Sequence, residues 1–291
     1  MKNLLFASFI FLICSGQALA FDYLPTKDLA RGADTGYCSS AAALPNNPSF
    51  LAFLDDTLIG AGYISLYQPS YFYRFYLTYQ NRINRDGAVG FMWSRISANS
   101  SVELFDYRED SFYAGYGHQI FPFFSLGGHL KVHNINTDVS SGSAYSSTIS
   151  FLFSLQKRYF LSCVFKDFLS TGLKWTTGLE EEYLRKVIVG LGIRQDIGPL
   201  GMVFSADYQI QNIKIRDYYL SSPDSHPPFK TGLSLTYRFL SLSCGIIQEK
   251  IMKITGGMSI NVISDIMLGA VYVHEASDLG YSTAVFIEYQ L

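Results

Sequence analysis

The sequence predicts an all-β protein, a transmembrane antiparallel β-barrel of about 14 strands with a small N-terminal plug segment. Three observations carry this prediction. The chain is poor in charge and rich in aromatic residues, its apolar residues alternate over long segments, and short connections between those segments alternate with longer ones.

The composition suits a chain that meets lipid on one side and water on the other. Charged residues make up 16%, well below the roughly one quarter of an average soluble domain, and aromatic residues also make up 16%. The polar surface is therefore provided mainly by Ser, Thr, Asn, Gln and Tyr rather than by charged residues. The net charge of -2 provides no electrostatic attraction for nucleic acid, so no nucleic-acid partner is expected.

Residues 1–20 are predicted to be a signal peptide. Lys2 precedes an apolar run from Leu4 to Ile13, and Ala18 and Ala20 form a small-residue cleavage site. Processing as a lipoprotein at Cys14 is the alternative, but Ile13 stands where that processing requires a small residue. The predicted location is the bacterial cell outer membrane, as a multi-pass β-barrel after signal-peptide cleavage.

Residues 58–291 are predicted to form the barrel, because period-two alternation dominates them. Around residue 230 one face reads Phe229, Leu233, Leu235, Tyr237 and Phe239, and the other reads Lys230, Gly232, Ser234, Thr236 and Arg238. Leu235 is expected to face lipid near the middle of the membrane. Strands of a soluble antiparallel sandwich also alternate apolar and polar residues, but they average five to six residues. The strands predicted here run to about ten residues or more, which is long enough for a tilted strand to cross a bilayer.

The connections support the same architecture. Short ones are predicted at 121–123, 156–158, 196–199, 240 and 263–265, and long ones at 98–110, 136–144, 168–181, 214–228 and 274–280. Short periplasmic turns and long external loops are typical of outer-membrane barrels. Two further connections, at Gln68–Ser70 and near Glu249, are short where the pattern expects long ones.

Residues 21–57 lack long alternation and are rich in Ala, Gly and Ser. The segment is too polar to lie in lipid, and a segment ahead of the first strand can fold into the lumen, so we predict an N-terminal plug or hatch.

Four short motifs stand out along the chain, and they are Ala30–Gly36, Asn47-Pro48-Ser49 with Asp55-Asp56, Ser125–Lys131 and Asp278–Gly280. Together they resemble the FadL-like outer-membrane β-barrel superfamily, in particular its PorV/PorQ-like or spirochaete-type branch. The resemblance implies a 14-strand barrel in which Asn47, Pro48, Asp55 and Asp56 belong to the plug. It implies either a channel for fatty acids or other hydrophobic molecules, or a secretion-associated barrel that holds partner proteins.

The sequence contains no nucleophile, phosphate-binding or metal-binding motif, so we expect neither an enzyme nor a cofactor. His129 and His133 share a strand face about 13 Å apart, too far for one metal ion, and are interpreted as polar lumen or rim residues. Cys163 and Cys244 fall on the apolar face of their strands, which favours a packing role. No Ser and His could be placed together at the lipid face, as an outer-membrane phospholipase would need.

The predicted lumen face is basic. Its candidate ligand residues are Arg74, Lys131, Lys166, Lys186, Arg194, Lys230, Arg238 and Lys253, against the acids Asp207 and Glu288. These bases have two alternative roles. They can pair with acids of the plug, namely Asp22, Asp28, Asp34, Asp55 and Asp56, or they can select anions and hold a carboxylate.

The favoured function is uptake of hydrophobic or anionic small molecules, such as fatty acids, through an outer-membrane channel. Loop aromatics would collect the ligand, and they are Phe105, Tyr107, Phe168, Trp175, Tyr218 and Tyr219. The expected partners are outer-membrane lipid and a hydrophobic carboxylate ligand. The alternative is a non-transporting, secretion-associated barrel with protein partners in a secretion or assembly machine.

Overall fold

The computed structural model describes residues 26–66, 72–98, 107–181, 185–211, 228–249, 251–276 and 280–291. The predicted signal peptide, Asp22, the connection at Gln68–Ser70, Phe105, Tyr218, Tyr219, Asp278 and Leu279 lie outside these residues. Among the described residues, no helix has the length and apolar character needed to span a membrane.

The described residues form sixteen strands of one antiparallel sheet. The strands are β1 Leu58–Leu66, β2 Phe72–Arg82, β3 Gly87–Ala98, β4 Tyr107–Phe121, β5 Phe124–Thr137, β6 Ser141–Leu155, β7 Tyr159–Ser170, β8 Leu173–Trp175, β9 Glu180–Glu181, β10 Lys186–Ile197, β11 Leu200–Gln211, β12 Phe229–Tyr237, β13 Leu240–Gln248, β14 Met252–Ile263, β15 Ile266–Glu275 and β16 Tyr281–Gln290.

Fourteen of these strands close into a barrel, as the sequence predicts. Each barrel strand pairs with its neighbours in the chain, β7 pairs with β10, and β1 pairs with β16 from Leu58 opposite Gln290 to Ser65 opposite Thr283. The backbone of Leu291 exchanges two hydrogen bonds with that of Thr57, which extends the closure. Strands β8 and β9 form a small hairpin on the edge of β6 and were not predicted, because segments of three and two residues are too short to show a period.

The two ends of the barrel differ in the length of their connections. At one end, here called the turn end, tight turns follow β4, β6, β10, β12 and β14, and Gln156, Lys157, Gly198 and Arg238 adopt positive φ angles there. At the opposite end, the loop end, the connections are mostly longer. The connection from Gln248 to Met252 is short, as the sequence indicates.

Inward and outward faces follow the predicted phase. In β2, Arg74, Tyr76 and Gln80 are buried while Leu77 and Tyr79 are exposed, and in β16 Val285 and Ile287 are exposed on the outside. Cys163 and Cys244 take outward positions on their strands, with Cys244 exposed. The outer wall therefore carries a continuous apolar surface, while polar residues line the lumen.

The residues ahead of β1 form three short helical turns inside the barrel. Helix α1 spans Lys27–Arg31, α2 spans Ala43–Asn46, and a 3₁₀ helix spans Pro48–Phe53. Helix α1 packs against β12–β15, and the 3₁₀ helix packs against β3–β6. We call residues 26–57 the inner segment.

The strand phase can be tested at Leu233. Leu235, expected near mid-membrane, lies only two residues from the end of β12, whereas Leu233 is nearer the centre of the strand and is 38% exposed on the outer face. Leu233→Arg should lower the yield of folded barrel in lipid, because Arg on the lipid face near the midplane costs ~2–4 kcal/mol. Ser234→Arg is the control, because Ser234 faces inward and bonds Ser243. Equal yields for both variants would contradict the assigned phase.

Candidate functional site: the lumen and its inner segment

The inner segment lies so close to the wall that the wall lacks side chains at the contacts. Gly232 and Gly245 are paired across β12 and β13, and a Cβ atom at either would come within 2.0 Å of the Arg31 carbonyl oxygen. A Cβ atom would also come within 3.0 Å of the segment at other inward glycines around the barrel, and they are Gly115, Gly117, Gly127, Gly190, Gly192 and Gly257. At Gly60 and Gly90 the segment lies within 3.4 Å of such an atom. The segment is thus fitted against the wall on several sides of the lumen.

Asp207 of β11 is the strongest polar anchor of the inner segment. Its carboxylate accepts hydrogen bonds from the backbone N–H groups of Asp34, Thr35 and Gly36, at 2.9, 2.9 and 2.8 Å. Hydrogen bonds to a charged group are roughly twice as strong as neutral ones. Asp207 itself is buried, so these three amides replace the water that its carboxylate has lost.

Neutral side chains of the wall form most of the other hydrogen bonds to the backbone of the segment. Ser162, Ser205 and Thr255 donate hydrogen bonds to the carbonyl oxygens of Thr35, Ala33 and Ala30, at 2.7, 2.8 and 2.9 Å. Further bonds join the segment to Gln80, Ser125, His129, Ser150 and Glu288. The wall therefore satisfies segment backbone groups that water cannot reach.

Asp28 and Arg31 hold the first turn of the segment together. Arg31 Nη2 lies 2.9 Å from Asp28 Oδ1 and also donates to the Tyr37 carbonyl, while Ser40 donates to Asp28. Burial alone would raise the pKa of Asp28, but the adjacent Arg31 charge, with help from Lys27 and Ser40, brings it below its ordinary value. Asp28, predicted to pair with a base of the wall, therefore pairs instead with Arg31 of the segment itself.

The residues predicted for the plug separate into two groups. Asn47 and Pro48 are buried, and Asn47 Nδ2 donates to the Thr35 carbonyl at 2.8 Å, tying two parts of the segment together. Asp55 and Asp56 are exposed near the turn end, and Asp55 is 4.0 Å from Arg82. The latter two therefore do not lie among the lumen bases, because the chain has already left the lumen to begin β1.

Three of the predicted bases converge on one small cavity between the inner segment and the wall. Lys166, Lys186 and Lys230 line it together with Asp34, Asp207, Gln209 and Glu249, and its volume is about 40 Å³. Asp207 and Lys230 stand opposite each other on β11 and β12. This cavity brings three lysines and three acids together next to the anchored residues of the segment.

Three more of the predicted bases also face inward, each with a partner. Lys253 is buried between Glu275 and Glu249, at 3.1 and 3.6 Å. Arg74 is buried and donates to Ser94 at 2.8 Å. Lys131 lies over the ring of Tyr113, with its Nζ 5.7 Å from the ring centroid.

The last two predicted bases lie near the turn end. Arg194 keeps its inward phase but is half-exposed, 3.3 Å from Asp196 and hydrogen-bonded to Tyr37. Arg238 was placed on the lumen face, and the structure corrects this. Strand β12 ends at Tyr237, Arg238 lies in the following turn with a φ of 54°, and its guanidinium stacks on the outward ring of Tyr237.

The lumen also holds acids that the sequence reasoning missed, and they are Glu109, Asp167, Glu249 and Glu275. The lumen is therefore much closer to charge balance than predicted. Glu249 lies beyond the end of β13, and Asp167 faces inward beside Lys166 because β7 is irregular there, with a φ of 54° at Asp167. Ser146 donates to Asp167 at 2.6 Å.

The inner wall also brings together a Ser, a His and a Glu. Ser111 Oγ and His133 Nδ1 are 2.8 Å apart, and His133 Nε2 is 3.7 Å from Glu109, which accepts a hydrogen bond from Tyr107. Only 2% of Ser111 is exposed, so its hydroxyl is closed to a substrate. The set serves as polar lining, as the sequence indicated for His133.

The aromatic residues predicted to collect ligand are not loop residues where they are described. Tyr107 is buried inside the loop end with Ile96 and Ile135, and Trp175 packs against the same cluster. Phe168 lies within β7, where its ring meets that of Phe165. The lumen face nearest the loops therefore has an apolar patch, built from strand residues.

Removal of the Asp207 charge should loosen the inner segment. In Asp207→Asn one oxygen becomes an amide that faces backbone N–H groups, so at least one hydrogen bond to a charged acceptor is lost, worth ~1.5–3 kcal/mol. We expect amide hydrogen exchange at residues 34–36 to accelerate about 10–100-fold while strand amides stay protected. Asp86→Asn, at an exposed carboxylate in the connection between β2 and β3 at the turn end, is the control. Unchanged exchange at 34–36 would show that the glycine contacts alone hold the segment.

The attachment of the inner segment should also depend on pH through Asp34. Burial, opposed by Lys230 and reinforced by Asp207, raises the pKa of Asp34 to about 6. A raised folded-state pKa means that the protonated form favours the attached state, so attachment is strongest below the ordinary Asp pKa of 3.8 and weakens as the pH rises from there through about 6. Exchange at residues 34–36 should accelerate beyond the intrinsic pH effect between about pH 4 and pH 6.5. Asp34→Asn should remove that extra dependence, and its persistence would assign it to another group.

No protein-family model and no curated protein matches the sequence. The fold, however, is similar to that of solved outer-membrane channels. The Ralstonia pickettii toluene transporter TbuX aligns with a TM-score of 0.61 at 11% identity, over 92% of this chain and 97% of that one. A TodX monoaromatic hydrocarbon channel mutant gives 0.62 at 12% identity, over 94% and 99% of the two chains. A Pseudomonas aeruginosa FadL homologue gives 0.51 at 10% identity, over 89% and 94%.

These alignments extend over almost the whole of both chains, and the barrel closes with fourteen strands around an N-terminal segment. The resemblance predicted from the short motifs is thereby confirmed at the level of the fold. The chain has the FadL-like outer-membrane β-barrel fold.

Proposed function

We propose that the protein is an outer-membrane channel for passive passage of hydrophobic small molecules that carry an acidic head, such as fatty acids. The observation that carries the proposal is the lysine cavity, where Lys166, Lys186 and Lys230 meet beside the inner segment. Solved proteins of the same fold are described as a toluene transporter and a monoaromatic hydrocarbon channel, which supports a hydrophobic cargo.

The lining supports two stages of binding. The apolar patch of Ile96, Tyr107, Ile135, Ala144 and Leu173 lies inside the loop end, and because its members are buried against one another, an alkyl or aryl tail would contact it only when the loop end opens. The lysine cavity lies beside the inner segment and offers charge for a carboxylate. Acids balance most of the bases in the lumen. The proposed selectivity is therefore for one acidic head group bound at the lysine cavity, and not for anions throughout the lumen.

The inner segment is proposed to act as the plug. Its first helix packs against β12–β15 and its 3₁₀ helix against β3–β6, so the segment lies across the lumen, and the cavity beside it has a volume of about 40 Å³. A cargo of the size of a fatty acid would therefore pass only when the segment moves. Passage down a gradient needs no covalent step and no cofactor.

The second candidate function is a non-transporting barrel that serves a secretion or assembly machine. The close fit of the segment against Gly232 and Gly245 favours it, because a permanently filled lumen suits a structural role. The two functions differ in one measurable property: only the channel binds or passes cargo.

The lysine cavity can be tested by binding of a fluorescent fatty acid to the purified barrel in detergent. Lys166→Gln, Lys186→Gln and Lys230→Gln combined should weaken binding at least tenfold, because three charges near the head group are lost. Binding of the matching fatty alcohol should change less than twofold. A control with Arg85, Lys157 and Arg158 changed to Gln removes three exposed charges from the turn end.

If the lysine variant loses binding of the fatty acid and of the fatty alcohol equally, the lysines hold the inner segment in place rather than recognise the head group. If the parent protein neither binds fatty acid nor conducts ions in a planar bilayer, the secretion-associated barrel becomes the better assignment.

A further inference from the structure

A charged cluster lies on the outer wall of the barrel, where the lipid-facing surface is otherwise apolar. Asp110 of β4 points outward and accepts hydrogen bonds from Trp93 Nε1, Arg95 Nε and Arg108 Nε, at 2.9, 2.8 and 2.7 Å. Arg95 also stacks on the Trp93 ring, 4.9 Å from its centroid. These contacts enclose Asp110, which is only 5% exposed.

The cluster stands at the upper limit of the apolar surface. Phe112, Val132 and Tyr145 lie opposite one another on β4, β5 and β6, and Phe112 and Tyr145 are about half exposed. The next outward rung toward the loop end is Asp110, Asn134 and Ser143, and the one after it is Arg108, Asn136 and Ser141. The wall thus changes from apolar to polar over two residues, about 7 Å, which marks the boundary between acyl chains and head groups.

A surface pocket of about 430 Å³ opens at this boundary. Phe112 lines it together with the polar residues Arg108, Asp110, Asn134, Asn136, Ser143 and Lys174. The charges of the lining are Arg108 and Lys174 against Asp110, and Arg95 and Glu180 pair with these residues from outside it, so the basic groups exceed the acids by one. The Lys174–Glu180 pair, at 3.4 Å, is largely exposed, and such pairs contribute little, so Lys174 can turn toward an anion.

We propose that this pocket binds the phosphorylated head group of a lipid in the outer leaflet. Arg108 and Lys174 contact the phosphate, while Asn134, Asn136 and Ser143 bond to sugar or glycerol hydroxyls. The occupant is a lipid rather than a soluble phosphate because the pocket continues directly into the exposed apolar rung of Phe112 and Tyr145, where acyl chains lie. The site is separate from the lumen and does not depend on transport.

The test uses the full-length mature barrel, extracted in mild detergent and incubated with phosphatidylcholine vesicles that contain diphosphorylated lipid A. Native mass spectrometry should show retention of about one lipid A per barrel, in preference to phosphatidylcholine. Arg108→Gln with Lys174→Gln should reduce retention at least tenfold. Arg85→Gln with Lys157→Gln removes the same charge at the opposite end and should leave retention unchanged.

Equal retention by the two double variants would overturn the proposal. Displacement of the lipid by millimolar inorganic phosphate would also overturn it, since it would show a phosphate site without lipid recognition. Heat-shifted gel mobility of each variant confirms that the barrel is folded, and Arg108→Lys with Lys174→Arg, which keeps both charges, should retain most of the binding.

Discussion

The structure depends on one constraint: an irregular stretch of backbone is enclosed by a barrel, and its N–H and C=O groups need partners other than water. The wall meets this need with Ser162, Ser205, Thr255 and the carboxylate of Asp207. Glycine at 232 and 245 allows the backbone to come close enough for such bonds. The polar, small-residue character of the lumen therefore serves the inner segment first and a ligand second.

This constraint also shapes the electrostatics of the lumen. A buried base needs a nearby acid or a polar partner, and Lys253 has Glu275 and Glu249 within 3.6 Å. Asp28 has Arg31 from its own helix, so it does not depend on a wall base. In the lysine cavity the three bases Lys166, Lys186 and Lys230 meet the three acids Asp34, Asp207 and Glu249, so each base there also has an acid nearby.

The strands could be predicted because burial on one face forces period-two alternation, and a phase error would move every side chain to the wrong side. Lys230 and Lys253 were placed correctly for this reason. Alternation does not mark where a strand ends or bulges, so Arg238 was misplaced in a turn and Asp167 was missed. The anchor at Asp207 could not be predicted either, because its partner Thr35 lies 172 residues away and is bonded through backbone atoms.

Under the proposed function, the anchor and the cavity act on each other. Burial and the charge of Asp207 raise the pKa of Asp34, and the charge of Lys230 lowers it. Lys230 lies opposite Asp207 on the neighbouring strand. A ligand carboxylate that takes Lys230 as its partner reduces the positive charge available to Asp34 and Asp207. The two acids then repel each other more strongly, and the bonds to residues 34–36 weaken. Because the coupling is reciprocal, a loosened segment in turn favours the ligand at Lys230, so occupation of the cavity and release of the segment reinforce each other.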